Sequence, residues 1–253
     1  MLMIAEPQPR LTKREKRLIR QQGTQSLQVT PSFNIKRIKP ITDNQQKVFD
    51  AFYDDKHLFL HGTAGTGKTF IAFYLALNAL HKQQSEQNKL YVVRSVVPTR
   101  DMGFLPGSHK DKMKVYEAPY YAISAELYER GDAYDILKQK NIVEFVSTSF
   151  IRGITLSDCI VIVDECQNMS DMELHSIITR AGENCKFIFC GDFRQDDLSS
   201  ERFKEESGVK KFMKIIERMS SFEFVDFKPE DIVRSSLVKE YIITREKLGI
   251  DAI

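Results

Sequence analysis

The sequence lacks tryptophan and has no long apolar run. A membrane-spanning helix needs about 20 consecutive apolar residues, whereas the longest uninterrupted run, residues 70–77, has eight. The first five residues are too few for the apolar core of a signal peptide, and basic residues follow them instead of preceding them. We therefore expect a protein that does not contact a membrane and that stays in the cytoplasm.

Cysteine and histidine are scarce, with four and five residues among 253. The cysteines have no CxxC spacing, and no histidines accompany them in the pattern of a zinc site. Most of them lie in or beside apolar segments, which is typical of buried thiols in a reducing compartment. The sequence thus predicts neither a disulfide nor a structural metal.

Net charge is also small, at +2, but it is unevenly distributed. Residues 1–40 contain nine Lys or Arg and two Glu, a local charge of +7, which leaves −5 for the rest of the chain. We interpret residues 1–40 as a basic, partly disordered arm and residues 41–253 as a single domain. Such an arm can contact phosphate backbones or an acidic partner, or it can serve solubility alone, and both interpretations stay open.

Short apolar segments alternate with helix-length segments from residue 48 onward. Continuously apolar strands of this kind are typical of a parallel sheet that is covered on both faces. A buried helix is predicted over residues 70–80, and another begins with Thr42 or Asp43 as its N-cap. The predicted fold is therefore α/β, with three layers and a mostly parallel central sheet. The predicted strands are residues 57–61, 90–94, 142–147, 159–164, 186–190 and 222–227.

A glycine-rich motif lies between the first of these strands and the following helix. It matches GxxxxGK[ST], whose backbone N–H groups surround phosphate oxygens at a helix N-terminus. Lys68 would neutralise the β- and γ-phosphates of ATP, and the Thr69 hydroxyl would bind Mg²⁺. The candidate nucleotide-binding residues are Gly62, Thr63, Ala64, Gly65, Thr66, Gly67, Lys68 and Thr69.

Two acids follow the apolar segment Cys159–Val163. They supply the carboxylates that a phosphate-binding loop requires to hold Mg²⁺ and to activate water. Asp164 ends a buried strand beside the loop, where a carboxylate can hold Mg²⁺. Glu165 comes next and can accept a proton from the attacking water. The next strand ends in a GDxxQ pattern, in which the Gln195 amide can contact both the γ-phosphate and the water.

The DExQ and GDxxQ patterns together resemble the RecA-like core of superfamily 1 helicases. More specifically, the chain resembles the PhoH-like family of ATPases from about residue 44 to residue 241. The motifs that carry this resemblance are GFLPG at 103–107, FIRGITL at 150–156, the DExQ and GDxxQ segments, and DIVR at 231–234.

The resemblance implies roles for four further residues. Gln45 matches a glutamine that reads the adenine edge. Arg94 and Arg152 match arginines that contact nucleic acid or organise the site, and Arg234 matches a catalytic arginine finger. For the arginines, a surface ion pair is the alternative in each case.

Chain length bears on how Arg234 would act. Only 58 residues follow Gln195, which is too few for a second RecA-like domain that could close on the nucleotide. We therefore expect Arg234 to reach a neighbouring subunit, and the resemblance implies a homo-oligomer, commonly a hexamer.

The predicted function is Mg²⁺-dependent ATP hydrolysis coupled to the binding or remodelling of RNA or single-stranded DNA. A nucleotide-gated scaffold that acts on a protein partner is the first alternative, and a small-molecule or nucleotide kinase is the second. Several tyrosines in the 95–130 segment could stack on bases or pack in the core. These tyrosines are Tyr116, Tyr120, Tyr121 and Tyr128.

Overall fold

Six strands form the central sheet, and the computed structural model describes residues 33–82, 86–96, 109–192 and 208–248. The spatial order is β3-β2-β4-β5-β1-β6, and every neighbouring pair is parallel. The strands are β1 (His57–Gly62), β2 (Lys89–Arg94), β3 (Val143–Ser147), β4 (Cys159–Asp164), β5 (Cys185–Gly191) and β6 (Phe222–Phe227).

Helices lie between most consecutive strands, as is usual for parallel pairing, whereas residues 148–158 join β3 to β4 without a helix. Two short 3₁₀ helices, Cys166–Asn168 and Pro229–Asp231, follow β4 and β6. The α-helices of the described residues are α1 (Asp43–Tyr53), α2 (Lys68–Lys82), α3 (His109–Tyr128), α4 (Ala133–Gln139), α5 (Asp171–Ile178), α6 (Val209–Ile216) and α7 (Ser236–Lys247).

The strands β1, β4 and β5 are buried along almost their whole length, so both faces of the central part of the sheet are covered. The edge strands β3 and β6 also carry exposed acidic side chains. On one face, Phe59, Phe187 and Phe189 pack against Leu174 of α5 and Phe212 of α6. Burying one such side chain contributes roughly 1.5–3 kcal/mol, so this aromatic layer is a main source of the stability of the sheet.

The opposite face is covered by α2 and by the helices that contact it. Phe73 of α2 stacks on Tyr120 of α3, with ring centroids 5.8 Å apart. Tyr134 of α4 lies 6.4 Å from the Tyr120 ring. The helix α2, which begins with Lys68 and Thr69 of the glycine-rich motif, is therefore packed against α3.

The strand ends bring distant parts of the chain to one edge of the sheet. His61 is opposite Gly191 in the register of β1 and β5. Arg94 is opposite Asp164 in the register of β2 and β4. The carboxyl ends of β1, β2, β4 and β5 thus face the same side, which is where ligands bind in open parallel sheets.

The predicted α/β fold with its central parallel sheet is confirmed, and the sheet is parallel throughout. All six predicted strands are present within one or two residues of their predicted limits. Thr42 caps α1 by accepting a hydrogen bond from the Gln45 N–H at 3.3 Å. The proposed division at residue 40 stays a prediction, since most of the basic arm lies outside the described residues. In the described part of the chain, no helix is long and apolar enough to cross a membrane.

Candidate functional site

The glycine-rich motif forms a tight turn that leaves β1 beside β6. Gly62 has φ +111°, and a Cβ at this position would meet the Phe227 carbonyl oxygen at 2.0 Å. Thr63 N–H donates to the same carbonyl at 2.9 Å. Only glycine fits at this crossing, because any side chain would clash with the backbone of β6. Gly65 and Gly67 also have positive φ angles, +77° and +85°.

Lys68 opens α2 and folds back over the turn. Its ammonium donates to the carbonyl oxygens of Gly62, at 2.7 Å, and Thr63, at 2.9 Å. Burial lowers the pKa of Lys68, while the Asp192 carboxylate at the end of β5 opposes this shift. The lysine thus carries a poorly hydrated charge at the position where a phosphate chain would enter.

Thr69 and Asp164 join the turn to β4. The Thr69 hydroxyl donates to Oδ1 of Asp164 at 2.7 Å, and the Tyr120 hydroxyl donates to Oδ2 at 2.7 Å. Burial, reinforced by the nearby charge of Glu165, raises the pKa of Asp164, although both hydrogen bonds oppose the shift. The structure therefore brings the two predicted metal-binding residues together, with hard oxygen atoms that suit Mg²⁺.

Glu165 occupies a backbone conformation that is unusual for a residue with a side chain. It has φ 51° and ψ 44°, in the left-handed region, immediately after β4 ends. Its Oε2 accepts a hydrogen bond from Gln167 Nε2 at 2.6 Å, and its Oε1 lies 4.0 Å from an Arg94 guanidinium nitrogen. Strained backbone of this kind is concentrated at functional sites, and here it lies at the second of the two acids.

Gln167 links the two strands that border the site. While its Nε2 holds Glu165, its Oε1 accepts a hydrogen bond from the Asp192 backbone N–H at 3.2 Å. The DExQ pattern includes Gln167, but no separate role was predicted for it. The pattern already contained the signal, because an amide can donate to one neighbour and accept from another.

Gln45 is buried under the glycine-rich turn. Its Nε2 donates to the Thr66 carbonyl at 3.1 Å, and its Oε1 accepts from the Ile41 N–H at 2.8 Å. The side chain is only 3% exposed. In this structure Gln45 therefore stabilises the turn through its hydrogen bond to Thr66. Its predicted contact with adenine stays a prediction.

The DIVR segment also touches the turn. Val233 N–H donates to the Gly65 carbonyl at 3.2 Å. A Cβ on Gly65 would meet Cγ of Arg234 at 3.1 Å. The stem of Arg234 thus lies against the turn of its own chain, and its predicted action as an arginine finger on a neighbouring subunit stays a prediction.

Arg94 lies among the acids of the site. Its guanidinium is 5.9 Å from the centre of the Tyr116 ring and near Glu165. Since Arg94 is also opposite Asp164 in the sheet register, its placement suits organisation of the acidic pair. Its predicted contact with nucleic acid stays a prediction.

The remaining predicted residues are not joined to this cluster. Arg152 is exposed on the loop after β3, and no contact between described residues links it to the turn or the acids. Gln195 and residues 103–107 lie outside the described residues. Tyr120 is fully buried, so that for this tyrosine the packing interpretation is correct and stacking on bases is wrong.

The assembled side chains have a clear chemical capacity. Backbone N–H groups and an ammonium can neutralise phosphates, a hydroxyl and a carboxylate can bind a hard cation, and a second carboxylate can accept a proton. This set is the one that a P-loop NTPase requires.

Comparison with known proteins identifies relatives of this chain. The PhoH-like protein of Mycobacterium leprae is 32% identical over 210 residues, which are 82% of this chain and 58% of that protein. The protein PhoH of Escherichia coli K12 is 34% identical over 186 residues, which are 71% of this chain and 50% of that protein. The chain thus spans little more than half the length of these relatives.

Solved structures with similar folds are more distant. The large terminase of bacteriophage D6E aligns with a TM-score of 0.49 at 15% identity, over 80% of this chain and 50% of its own. The Pif1 helicase of Candida albicans aligns with a TM-score of 0.33 at 14% identity, over 75% of this chain and 40% of its own. At such scores these likenesses carry no argument about function.

The sequence profile of the family described as PhoH-like protein matches residues 37–245, which include the turn, both acids and the DIVR segment. The family predicted from the motifs is confirmed, and the chain belongs to the PhoH-like protein family.

Proposed function

We propose that this chain hydrolyses ATP to ADP and phosphate with the help of Mg²⁺. The observation that carries the proposal is the 2.7 Å contact between Thr69 Oγ1 and Asp164 Oδ1. This contact places the end of the glycine-rich turn next to the acid of β4, so that one metal–nucleotide complex can use both.

The residues present fit such a complex. The turn has positive φ angles at three glycines, and successive backbone N–H groups in a turn of this kind can form a concave site for an anion. Thr69 and Asp164 supply oxygen ligands of the kind that Mg²⁺ prefers. When bound, Mg²⁺ neutralises charge on the phosphate oxygens as the bond to the leaving group breaks.

Lys68 and Glu165 perform the other two tasks of hydrolysis. On binding, Lys68 would exchange its two backbone carbonyl partners for phosphate oxygens, which are stronger acceptors for an ammonium. Glu165 would accept a proton from the attacking water at one carboxylate oxygen while Gln167 holds the other. We also assign Gln195 to sensing the γ-phosphate.

Arg234 is proposed to stabilise the charge that grows on the γ-phosphate in the transition state. Because its stem lies beside Gly65 of the same chain, we propose that it acts on the nucleotide of its own subunit. We also propose that the chain forms a homo-oligomer, a hexamer as the family resemblance implies. This part of the proposal does not depend on Arg234.

We further propose that hydrolysis is coupled to binding or remodelling RNA or single-stranded DNA in the cytoplasm. Arg94, Arg152 and the basic residues 1–40 provide the cationic groups, and Arg94 lies at the edge of the sheet that carries the site. Contacts of this kind release counterions from the phosphate backbone, so the affinity must fall steeply with salt.

Phosphate release from ATP, measured with and without RNA or single-stranded DNA at two salt concentrations, tests this coupling. We expect nucleic acid to stimulate turnover at low salt and to stimulate it much less at high salt. Turnover that is indifferent to both nucleic acids would contradict the coupling and favour a nucleotide-gated scaffold that acts on a protein. Transfer of labelled γ-phosphate to an acceptor other than water would favour a kinase.

A further inference from the structure

Tyr120 is the one residue of α3 that reaches the predicted metal ligand Asp164 through a hydrogen bond between described side chains. The Tyr120 hydroxyl donates to Oδ2 at 2.7 Å, and both partners are almost completely buried. A bond of this kind is shielded from water, so it is stronger than a similar bond on the surface.

The two oxygens of the Asp164 carboxylate are thereby given different partners. Oδ2 is held by Tyr120, from the helix layer, while Oδ1 is held by Thr69, from the glycine-rich turn. A carboxylate that is bonded through only one oxygen can rotate about its last torsion, whereas this one is fixed at both oxygens. The hydrogen bond from Tyr120 therefore fixes the orientation of the carboxylate, with its other oxygen facing Thr69.

The position of the tyrosine is itself fixed by packing. Its ring lies 5.8 Å from Phe73 of α2, 6.4 Å from Tyr134 of α4 and 5.9 Å from Phe145 of β3. Because Phe73 belongs to the helix that begins with Lys68 and Thr69, the same packing holds the donor and the turn in one unit. A ligand supported by a rigid neighbour needs little reorganisation when it binds its cation.

On this basis we propose that Tyr120 is a positioning residue for the Mg²⁺ ligand Asp164. This inference rests on the proposed function, because it assumes that Asp164 and Thr69 hold Mg²⁺. Tyr120 itself contacts neither the metal nor the nucleotide. Partners that orient a metal ligand typically change metal affinity or activity by about 10- to 100-fold when they are removed.

Tyr120→Phe removes one oxygen atom and leaves the aromatic packing in place. The chain provides a matched control in the adjacent residue of the same helix, Tyr121. Its hydroxyl donates to Asp135 at 2.7 Å, also a carboxylate, but on the exposed side of the helix. Tyr121→Phe therefore removes the same kind of bond at a distance from the site.

The experiment measures binding of a fluorescent ATP analogue to the full chain while Mg²⁺ is titrated, and again in EDTA. For Tyr120→Phe we expect the Mg²⁺ concentration at half-maximal effect to rise about 10-fold or more, with unchanged affinity in EDTA. For Tyr121→Phe we expect wild-type values in both conditions. Because binding is the readout, hydrolysis is not required.

Three results separate the possible failures. A wild-type protein whose nucleotide binding is indifferent to Mg²⁺ would overturn the proposed function and this inference with it. A normal wild type with an unchanged Mg²⁺ midpoint in Tyr120→Phe would overturn the inference alone. An equal loss of affinity with and without Mg²⁺ would also overturn it, because that loss would come from packing.

Tyr120→Phe leaves a buried carboxylate oxygen of Asp164 without its hydrogen-bond donor, and this loss can prevent folding. A second comparison covers that case. In an Asp164→Asn background the buried charge is gone, and Tyr120→Phe should then add no further change to the Mg²⁺ midpoint. An additional shift in the double variant would show that Tyr120 acts by a route other than Asp164, and would contradict the proposal.

Discussion

At the scale of single residues, the site holds two charges in surroundings that disfavour them. Burial lowers the pKa of Lys68 and raises the pKa of Asp164, which means that each charged form is less stable here than in water. A bound Mg²⁺–nucleotide complex would give both charges strong partners. The two buried charges therefore lower the stability of the folded protein, and binding of the complex should raise it.

Asp164→Asn tests this destabilisation directly. The folded-state pKa of Asp164 is raised above its ordinary value of 3.8, so at neutral pH the folded protein carries the full cost of the buried charge. We expect the variant to melt roughly 2–4 °C above the wild type at pH 8 without ligand, the shift that about 1 kcal/mol gives in a domain of this size.

This advantage should shrink as the pH falls through the raised folded-state pKa, because protonation then relieves the wild type of the same cost. Asp50→Asn, on an exposed part of α1, is the matched control, measured at the same pH values. If Asp164→Asn melts below the wild type at pH 8, the hydrogen bonds from Thr69 and Tyr120 stabilise the charged carboxylate by more than burial destabilises it.

Lys68→Ala should reduce turnover by roughly 10²–10³-fold, as expected when one preorganised group that stabilises phosphate charge is removed. The measurement is phosphate release at saturating Mg²⁺ and ATP. Lys186 serves as a comparison because it is also a buried lysine. It lies on β5 at the opposite end of the sheet, where it pairs with Asp55 at 2.7 Å. If Lys68→Ala retained wild-type turnover, the phosphate-binding role of the turn would be refuted.

Glu165→Gln should leave ATP bound but unhydrolysed. Turnover should fall by roughly 10²–10⁴-fold, because an amide cannot accept the proton from water, whereas nucleotide affinity should be retained. Equilibrium binding and single-turnover hydrolysis measured on the same sample separate the two effects. Glu223→Gln on the exposed side of β6 is the matched control, and full turnover in Glu165→Gln would remove this residue as the base.

At the scale of elements, the DIVR segment joins three parts of the fold. Asp231 accepts hydrogen bonds from Asn44 Nδ2 at 2.7 Å and from the Lys228 N–H at 2.9 Å. Two residues later, Val233 binds the carbonyl of Gly65. The segment thus connects the start of α1 and the end of β6 to the glycine-rich turn, so its integrity should affect nucleotide binding.

Asp231→Ala should destabilise the protein by about 1.5–3 kcal/mol, the usual contribution of hydrogen bonds to a charged group. Burial opposes the change, but hydrogen bonds from the Lys228 N–H and from the Thr42 and Asn44 side chains lower the pKa of Asp231 below 3.8. Its contribution is therefore complete above that value and is lost as the pH falls through the lower folded-state pKa.

Urea unfolding at pH 7 and at pH 3 checks both statements for Asp231. The difference between wild type and variant should be large at pH 7 and smaller at pH 3. A difference of the same size at both pH values would mean that the ionised carboxylate is not what holds the segment.

The strands and the two acids could be predicted because each signal lies within a short stretch of sequence. Apolar runs identified the strands, and the spacing of Gly62 to Thr69 identified the turn. The hydrogen bonds of Tyr120 and of Gln45 could not be predicted in this way. Tyr120 lies 44 residues from Asp164 and Gln45 lies 21 residues from Thr66, so both contacts depend on how helices pack and not on any local pattern.

At the scale of the whole molecule, the chain has one sheet and one glycine-rich turn among its described residues. The sequence predicts that Arg234 acts on the nucleotide of a neighbouring subunit. That action stays a prediction, while the structure places the stem of Arg234 beside the turn of its own chain. The physical reason is that β6 and the segment after it run along the same edge as β1, which brings residues 231–234 back to the turn.

Mixing two inactive variants distinguishes these arrangements. Arg234→Ala lacks the arginine, and Lys68→Ala lacks the lysine of the turn. If Arg234 acts within its own chain, as we propose, mixed samples should show no more phosphate release than the sum of the separate samples. Recovered activity in the mixture, together with an oligomer by light scattering, would show that the arginine acts between subunits.

The central claim is that the glycine-rich turn and the acids after β4 act on one Mg²⁺–nucleotide complex. Its most direct test is release of phosphate from ATP by the purified full chain while Mg²⁺ is titrated, in the wild type and in Asp164→Ala. We predict that the wild type releases phosphate only with Mg²⁺ and that Asp164→Ala loses this release at every Mg²⁺ concentration. Phosphate release that persists in Asp164→Ala with wild-type dependence on Mg²⁺ would contradict the account.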